Sequence, residues 1–151
     1  MSKEIRYRFA DKNDLPSIVS LLSRNNLPAE DITANKIDFL VAINSADEII
    51  GSIGIEKYGE EALLRSFAVE MTYQKRKIGA ELLNLLYNAS IQSGIKTLHV
   101  LTTTAESYFK AKGFLTAERN NAPKAIKQTT EFTTLCPSSS VYMYSKILSF
   151  S

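Results

Sequence analysis

Residues 63–86 read LLRSFAVEMTYQKRKIGAELLNLL, and the interpretation of this stretch decides the fold. Its opening run, Leu63 to Val69, is apolar except for Arg65 and Ser66, the pattern of a buried strand. Gln74-Lys75-Arg76-Lys77-Ile78-Gly79-Ala80 then forms a short basic turn. Ile78, Leu82, Leu85, Leu86 and Ala89 recur at helical spacing, so the turn leads into a helix expected over Arg76 to Ser93 and stopped by Gly94. A helix start carries unpaired backbone N–H groups and the positive end of the macrodipole, which makes it an anion site. Gly79, just inside this start, lets an anion approach the backbone closely. Neither G-x-x-x-x-G-K-[ST] nor G-x-G-x-x-G occurs in the chain. The local physics therefore predicts a phosphate-bearing ligand at 74–80 without naming its carrier. The competing reading is a solvated basic helix start with a glycine for close packing.

Working outward, Ile5 to Phe9 alternates polar and apolar residues and reads as a strand. Asp14 can cap a helix with Pro16 in its first turn, a core face of Ile18, Val19, Leu21 and Leu22, and an end at Asn25-Asn26. Leu27 to Ala34 is expected as a second short helix or irregular cover. Phe39 to Ile43 and Ile49 to Glu56 read as a hairpin, with Gly51 and Gly54 marking a bulge or close backbone approach. After the strand and helix of the opening stretch come a strand at Thr97 to Leu101, a helix at Ala105 to Ala111 ending at Gly113, and a short strand at Phe114 to Ala117. A helix starting at Pro123 and running to Thr130 or Phe132, and a last strand at Val141 to Leu148, complete the chain. The order β-α-β-β-β-α-β-α-β-α-β specifies an α/β (α+β) chain with a mixed sheet.

At 151 residues the simplest organisation is one domain, and 44% hydrophobic residues suffice for a core. A net charge of +2 gives no strong field for nucleic acid or an anionic membrane. The single cysteine, Cys136, excludes an intrachain disulfide and a multi-cysteine zinc site, and the single histidine, His99, excludes a histidine-rich metal site. No apolar run approaches the roughly 18 residues of a membrane span, and no signal region is present at the charged N-terminus. A soluble cytoplasmic protein is expected.

The strand followed by Gln74-x-x-x-x-Gly79-Ala80 at a helix start resembles the acetyl-CoA signature of the GNAT N-acetyltransferases, [Arg/Gln]-x-x-Gly-x-[Gly/Ala], with Lys77 standing where that pattern has its first glycine. Ala105-Glu106-Ser107-Tyr108-Phe109-Lys110-Ala111-Lys112-Gly113-Phe114 is similar to the family's A-x-x-[FY]-[YF]-x-x-x-G-[FY] segment, and the order of elements matches along nearly the whole chain. ALLRSFAV, VLTTTAESYF, the Pro-Lys-Ala-Ile-Lys-Gln-Thr-Thr-Glu-Phe run and Leu-Cys-Pro-Ser-Ser together resemble the small-molecule branch named for arsenic-resistance operons. N-acetylglutamate synthase catalytic domains look like more distant cousins. The resemblance implies a mostly antiparallel sheet of about seven strands with helices on both faces. It also implies acetyl-CoA as cosubstrate, no metal, a small-molecule amine acceptor, and a chain that is compatible with a homodimer and needs neither nucleic acid nor membrane.

Carried over residue by residue, the resemblance assigns Phe67, Ala68 and Val69 to the pantetheine arm and the oxyanion through their backbone amides. It assigns Gln74, Lys75, Arg76, Lys77, Ile78, Gly79 and Ala80 to the pyrophosphate. Acetyl transfer needs a deprotonated amine, for which Glu56 and Glu131 are the base candidates, with Glu70 and Glu118 behind them. The family's acid tyrosine falls on Phe109, so the adjacent Tyr108 is the candidate acid, against a structural tyrosine on the helix surface. Arg65, a cation within an apolar strand, needs a partner: an anionic group of the acceptor, or a glutamate in a structural salt bridge. Ser66 and Arg119 complete the acceptor set. His99, between Leu98 and Val100, is expected as a buried sheet-lining histidine, and Cys136 as a structural or pocket residue. Two alternatives stay open beside a small-molecule acetyltransferase: acetylation of protein N-termini or lysines, and a non-catalytic acyl-CoA sensor.

Overall fold

The computed structural model describes residues 4–32, 36–136 and 139–147. The Lys75 side chain, Ala34, Pro137 and Ser138 of the Leu-Cys-Pro-Ser-Ser run, and Leu148 lie outside the described part. Seven strands form one sheet: β1 (Arg6–Phe9), β2 (Asp38–Ile43), β3 (Ile49–Tyr58), β4 (Glu61–Val69), β5 (Thr97–Thr102), β6 (Leu115–Ala117) and β7 (Val141–Lys146), in the spatial order β1-β2-β3-β4-β5-β7-β6. The helices are α1 (Leu15–Arg24), α2 (Ile78–Gln92), α3 (Glu106–Ala111) and α4 (Lys124–Lys127). The β1–β2, β2–β3, β5–β7 and β6–β7 pairs are antiparallel, and β4–β5 is parallel. The sheet is mixed and mostly antiparallel, as expected. No helix among the described residues is long and apolar enough to cross a membrane.

Tertiary contacts divide the chain into two compact units, Met1–Ile55 with Ser66–Ala89, and Glu56–Arg65 with Ser90–Ser151. In the first, Ile18, Leu21 and Leu22 of α1 pack with Phe39, Val41, Ile43 and Ala68. The alternate residues of the hairpin face the other way: Gly51, paired with Ala42, lies against Leu82 of α2, where a Cβ would come within 3.1 Å of the leucine Cδ1. Helices thus cover both faces of this part of the sheet. The expected irregularity near Gly51 is a register shift between Ala42 and Ile43. In the second unit, Leu63, Leu101, Ala122, Ile126, Phe132 and Tyr142 form a separate cluster.

Two boundaries and one cap differ from expectation for physical reasons. Asp14 stands at the expected N-cap position of α1, with Pro16 in the first turn, but makes no side-chain cap there: it accepts from Asp11 N and pairs with Arg8, completing a capping box with Asp11, whose carboxylate accepts from Asn13 N, on a 3₁₀ turn ahead of α1. The helix expected from Arg76 starts two residues later, because Met71–Arg76 is a 3₁₀ turn and Lys77 adopts a left-handed conformation at φ 60. The helix expected from Pro123 to Thr130 or Phe132 is only one turn long. Thr129 Oγ1 donates to the Ile126 carbonyl at 2.7 Å, competing with the helix ladder, and Glu131–Leu135 continues as a π turn. Leu27 to Ile32 is irregular cover, with Ile32 buried against α1.

Candidate active site

In the first unit the end of β4 runs directly into the basic turn. Ser66 lies inside the strand with φ 55, a conformation an L-residue rarely adopts, and its carbonyl accepts from Ser52 Oγ at 2.8 Å. Beyond this kink Ala68 packs into the α1 core, while Phe67 and Val69 face the first turn of α2. A Cβ built at Gly79 would stand 3.4 Å from Phe67 Cζ and 3.7 Å from Val69 Cγ2. The Gln74 side-chain amide donates to the Val69 carbonyl at 3.1 Å, tying the turn back to the strand. Arg76 lies over the Tyr73 ring at 5.0 Å, and Tyr73 in turn receives a hydrogen bond from Asn44. Lys77 occupies the cap: its carbonyl receives the Glu81 N–H at 3.1 Å, so the N–H groups of Ile78, Gly79 and Ala80 have no intrahelical acceptor. Arg76 and Lys77 are exposed beside these donors. The left-handed Lys77 also accounts for the glycine that the acetyl-CoA signature carries at this position, since glycine adopts φ > 0 at least cost. This candidate region combines a kinked strand, a closing turn and a helix start whose first N–H groups can meet an anion.

The second unit carries a buried charge cluster. Arg65 is 2% exposed, and its Nη1 donates to Glu56 Oε2 at 2.8 Å. Its Nε lies 3.7 Å from Glu131 Oε2, and both glutamates are themselves buried. The other Glu56 oxygen accepts from the Tyr58 hydroxyl at 2.6 Å. Both Glu56 oxygens are therefore engaged, which disfavours that carboxylate as a free base. The structure thus realises the glutamate salt bridge for Arg65. Burial and Glu131 push the Cys136 thiol up to about 12, opposed by Arg119 and Arg65, so it is protonated and poorly nucleophilic at neutral pH. Arg119 Nη2 donates to the Phe132 carbonyl at 2.9 Å and its guanidinium stacks over the Phe132 ring at 5.5 Å. Tyr108 meets Phe109 edge-on at 5.6 Å, and burial raises its phenol above the ordinary value. Glu70, a weaker candidate, is held in the first unit by one guanidinium edge of Arg24, whose Nη2 and Nε donate to its two oxygens at 2.6 and 3.2 Å.

The expected residues therefore assemble in two groups. Phe67, Val69, Gln74 and Gly79 gather around the start of α2, and Arg65, Glu56 and Glu131 form one buried cluster. A third group was not anticipated. His99 is buried as expected, but it bridges Glu61 Oε1 at 2.6 Å and the Tyr142 hydroxyl at 2.7 Å. Neither partner carries a local sequence signal, because the contacts depend on register across β4, β5 and β7. Among the described residues no group of His, Cys, Asp and Glu could hold a metal ion.

A sequence model described as acetyltransferase (GNAT) domain matches residues 35–115. No curated protein sequence matches the chain. Among solved structures, N-acetylglutamate synthase from Neisseria gonorrhoeae, complexed with coenzyme A and N-acetyl-glutamate, is similar with a TM-score of 0.80 at 17% identity. The similarity covers 99% of this chain and 36% of that one, so the chain spans about a third of the synthase. The ribosomal-protein-S18-alanine N-acetyltransferase of Escherichia coli is similar with a TM-score of 0.76 at 19% identity, covering 98% and 97% of the two chains. A GNAT-family acetyltransferase from Staphylococcus aureus gives 0.76 at 18% identity, over 96% and 100%.

Proposed function

The chain belongs to the GNAT acetyltransferase family, enzymes that take their acetyl group from acetyl-CoA, and from that premise we propose that it acetylates the amine of a small, anionic acceptor, an amino acid or amino-acid-like toxin, in the cytoplasm. In this reading the start of α2 holds the coenzyme A pyrophosphate. Ile78, Gly79 and Ala80 supply backbone N–H donors, Arg76, Lys77 and Lys75 supply positive charge, and Gln74 fixes the turn against Val69. Phe67, Ala68 and Val69 supply the strand edge for the pantetheine arm and the donors for the oxyanion. Acetyl-CoA brings the activated thioester; the chain's own residues orient the acceptor and manage its proton.

The observation that carries the acceptor class is the buried guanidinium of Arg65, one residue before the Ser66–Val69 segment. Glu56 anchors Nη1 and thereby orients the planar fork, while Glu131 is the looser partner at 3.7 Å. An acceptor carboxylate, phosphonate or arsonate that displaces Glu131 from Nε meets a preoriented guanidinium, and the freed glutamate draws the acceptor's ammonium. Ser66 and Arg119 are the remaining acceptor-side candidates in this reading. Tyr108, its phenol kept protonated by burial, serves as donor to the departing thiolate. The N-acetyl-glutamate in the Neisseria synthase complex supports an amino-acid acceptor, and the resemblance to the arsenic-resistance branch supports arsenic- or phosphorus-bearing analogues.

An acceptor screen with acetyl-CoA and detection of the released thiol tests the reading. Glutamate analogues and arsenic- or phosphorus-bearing amino acids are expected to release coenzyme A. Arg65→Lys, which keeps the charge and loses the fork, should raise the acceptor KM and leave the acetyl-CoA KM unchanged. Turnover confined to peptide N-termini would replace the small acceptor with a protein, the kind of acceptor that the ribosomal-protein-S18-alanine N-acetyltransferase of Escherichia coli is named for. Coenzyme A binding without thiol release for any acceptor would make the chain a sensor.

A further inference from the structure

An acceptor amine enters as an ammonium and must lose a proton before it attacks. In a buried layer that proton needs a route to water. Glu56 offers none, since its two oxygens already answer Arg65 and Tyr58, and Glu131, which the acceptor frees to hold the ammonium, is itself buried and still needs an onward path. The second unit contains another chain of titratable groups on the same face of the sheet. Glu61, Leu63 and Arg65 alternate along β4, with Leu63 paired to His99. His99 is paired to Tyr144 and Leu101 to Tyr142. The Tyr142 ring packs with Leu63, Leu101 and Phe132, and Cys136, which senses Arg65 and Glu131, packs against the same cluster.

The hydrogen bonds in this chain have a forced direction. The Glu61 carboxylate is acceptor-only, so His99 Nε2 carries the proton it donates at 2.6 Å. Nδ1 of the neutral ring is then a lone pair, and the Tyr142 O–H donates to it at 2.7 Å. His99 and Tyr142 are 2% and 3% exposed, whereas the Glu61 side chain is 30% exposed and reaches water. The chain therefore runs from a buried hydroxyl through a buried imidazole to a solvent-reaching carboxylate. A carboxylate that orients an imidazole, which in turn polarises a hydroxyl, is the arrangement that moves protons at a hydroxyl oxygen.

We infer that Tyr142, His99 and Glu61 form a proton conduit from the acceptor amine to solvent, a role that rests on the acetyltransfer reading above. The acceptor N–H bond breaks and its proton passes to the Tyr142 oxygen. The phenolic O–H proton passes to His99 Nδ1, and the Nε2 proton leaves by way of Glu61 to water. Deprotonating Nε2 returns the imidazole to neutrality, and a ring flip or proton return restores the starting tautomer. The balance is one proton moved from ammonium to water, with the amine lone pair left for attack. No net charge stays on Tyr142, which matters because burial, Glu61 and Tyr144 push its phenol up to about 12. The groups facing His99 are Glu61 from β4 and Tyr142 from β7, with Tyr144 against Tyr142; Arg119 and Glu131, on the segment packed above, engage Phe132 and Arg65. Burial, opposed by Glu61, lowers the His99 pKa, so the neutral, proton-accepting imidazole persists below the ordinary histidine range.

The test combines kinetics with nitrogen NMR, for which the single histidine gives one unambiguous imidazole. Full-length wild type, Tyr142→Phe, His99→Gln and the milder Glu61→Gln are compared, each checked for cooperative melting. The wild type is expected to show the Nε2–H tautomer. The acid limb of its kcat/KM for the best acceptor in the screen should coincide with the NMR titration of His99. Breaking the conduit leaves only acceptor that is already deprotonated, so in the variants the limb should move up to the acceptor's own amine pKa. At neutral pH kcat should fall roughly a hundredfold, with the acetyl-CoA KM unchanged. An Nδ1–H tautomer in the wild type overturns the conduit, as does an unshifted pH limb in all three folded variants. If the wild type turns over and the variants match it, only the conduit fails; if the wild type transfers acetyl to no acceptor, both it and the acetyltransfer reading fail.

Discussion

Gly79→Ala should stabilise the protein and weaken its hold on coenzyme A, two effects of opposite sign from one methyl group. The added Cβ would meet Phe67 at 3.4 Å and Val69 at 3.7 Å, which is ordinary van der Waals contact, so the apo fold accommodates it without movement. Alanine also removes the entropic disadvantage of glycine in a helix, about 0.5 to 1 kcal/mol. For a chain of this size that corresponds to a melting temperature higher by roughly 1 to 4 °C. The same methyl group covers the N–H donors at the start of α2. Losing one charge-assisted hydrogen bond to the pyrophosphate costs about 1.5 to 3 kcal/mol, or roughly a ten- to hundredfold rise in Kd. Thermal melts of wild type and variant with and without coenzyme A, with affinities from calorimetry, read both quantities. A stabilised variant that binds coenzyme A as tightly as the wild type would refute the close backbone approach at Gly79. A destabilised variant would refute the packing account of that position.

Three further outcomes follow from other residues. Lys77→Gly should relieve a left-handed lysine and raise stability by about 0.5 to 1 kcal/mol, read as a higher urea midpoint at unchanged m-value; Lys77→Gln separates any charge effect on coenzyme A affinity from this backbone effect. Arg65→Ala strips the cation from two buried carboxylates and should cost about 3 to 5 kcal/mol, while adding Glu56→Gln to it should recover much of that loss; a double variant as unstable as the sum of the two single ones would show the pair to be uncoupled. His99 has its pKa lowered by burial, so the unfolded chain takes up the proton first on acidification. Its stabilising contribution is complete above the unfolded value of 6.5 and is lost as the pH falls from there through the folded value. Urea midpoints over roughly pH 5 to pH 8 should show this slope in the wild type and a flatter one in His99→Gln.

The mixed sheet and the order of elements along the chain were legible because these elements carry local patterns: the largely apolar run of β4, the α2 stripe, the glycines that follow α2 and α3. What stayed hidden was set by pairing between distant segments. The apolar context of Arg65 demanded a partner, but only the β3–β4 connection brings Glu56, nine residues earlier, to Nη1, and only the π turn brings Glu131 to Nε. The Glu61–His99–Tyr142 chain needs the registers of β4, β5 and β7 together, and a one-residue slip would send His99 to the other face. The start of α2 was placed two residues early because lysine, by its own preference, gives no hint of φ 60.

That last departure carries information of its own. Four described non-glycine residues adopt positive φ; Asn26 and Asp47 lie in turns, and the other two are Ser66 and Lys77. Asparagine and aspartate visit this region readily, whereas serine inside a strand and lysine at a helix cap persist there only where their surroundings over-determine the backbone. Ser66 and Lys77 bracket the segment from Phe67 to Arg76, which holds the residues assigned to the pantetheine arm and the first of those assigned to the pyrophosphate. The strain is read from backbone angles alone and owes nothing to the family comparison. Two independent lines, the acetyl-CoA signature and the stored backbone strain, therefore converge on the same ten-residue stretch of chain between Ser66 and Lys77.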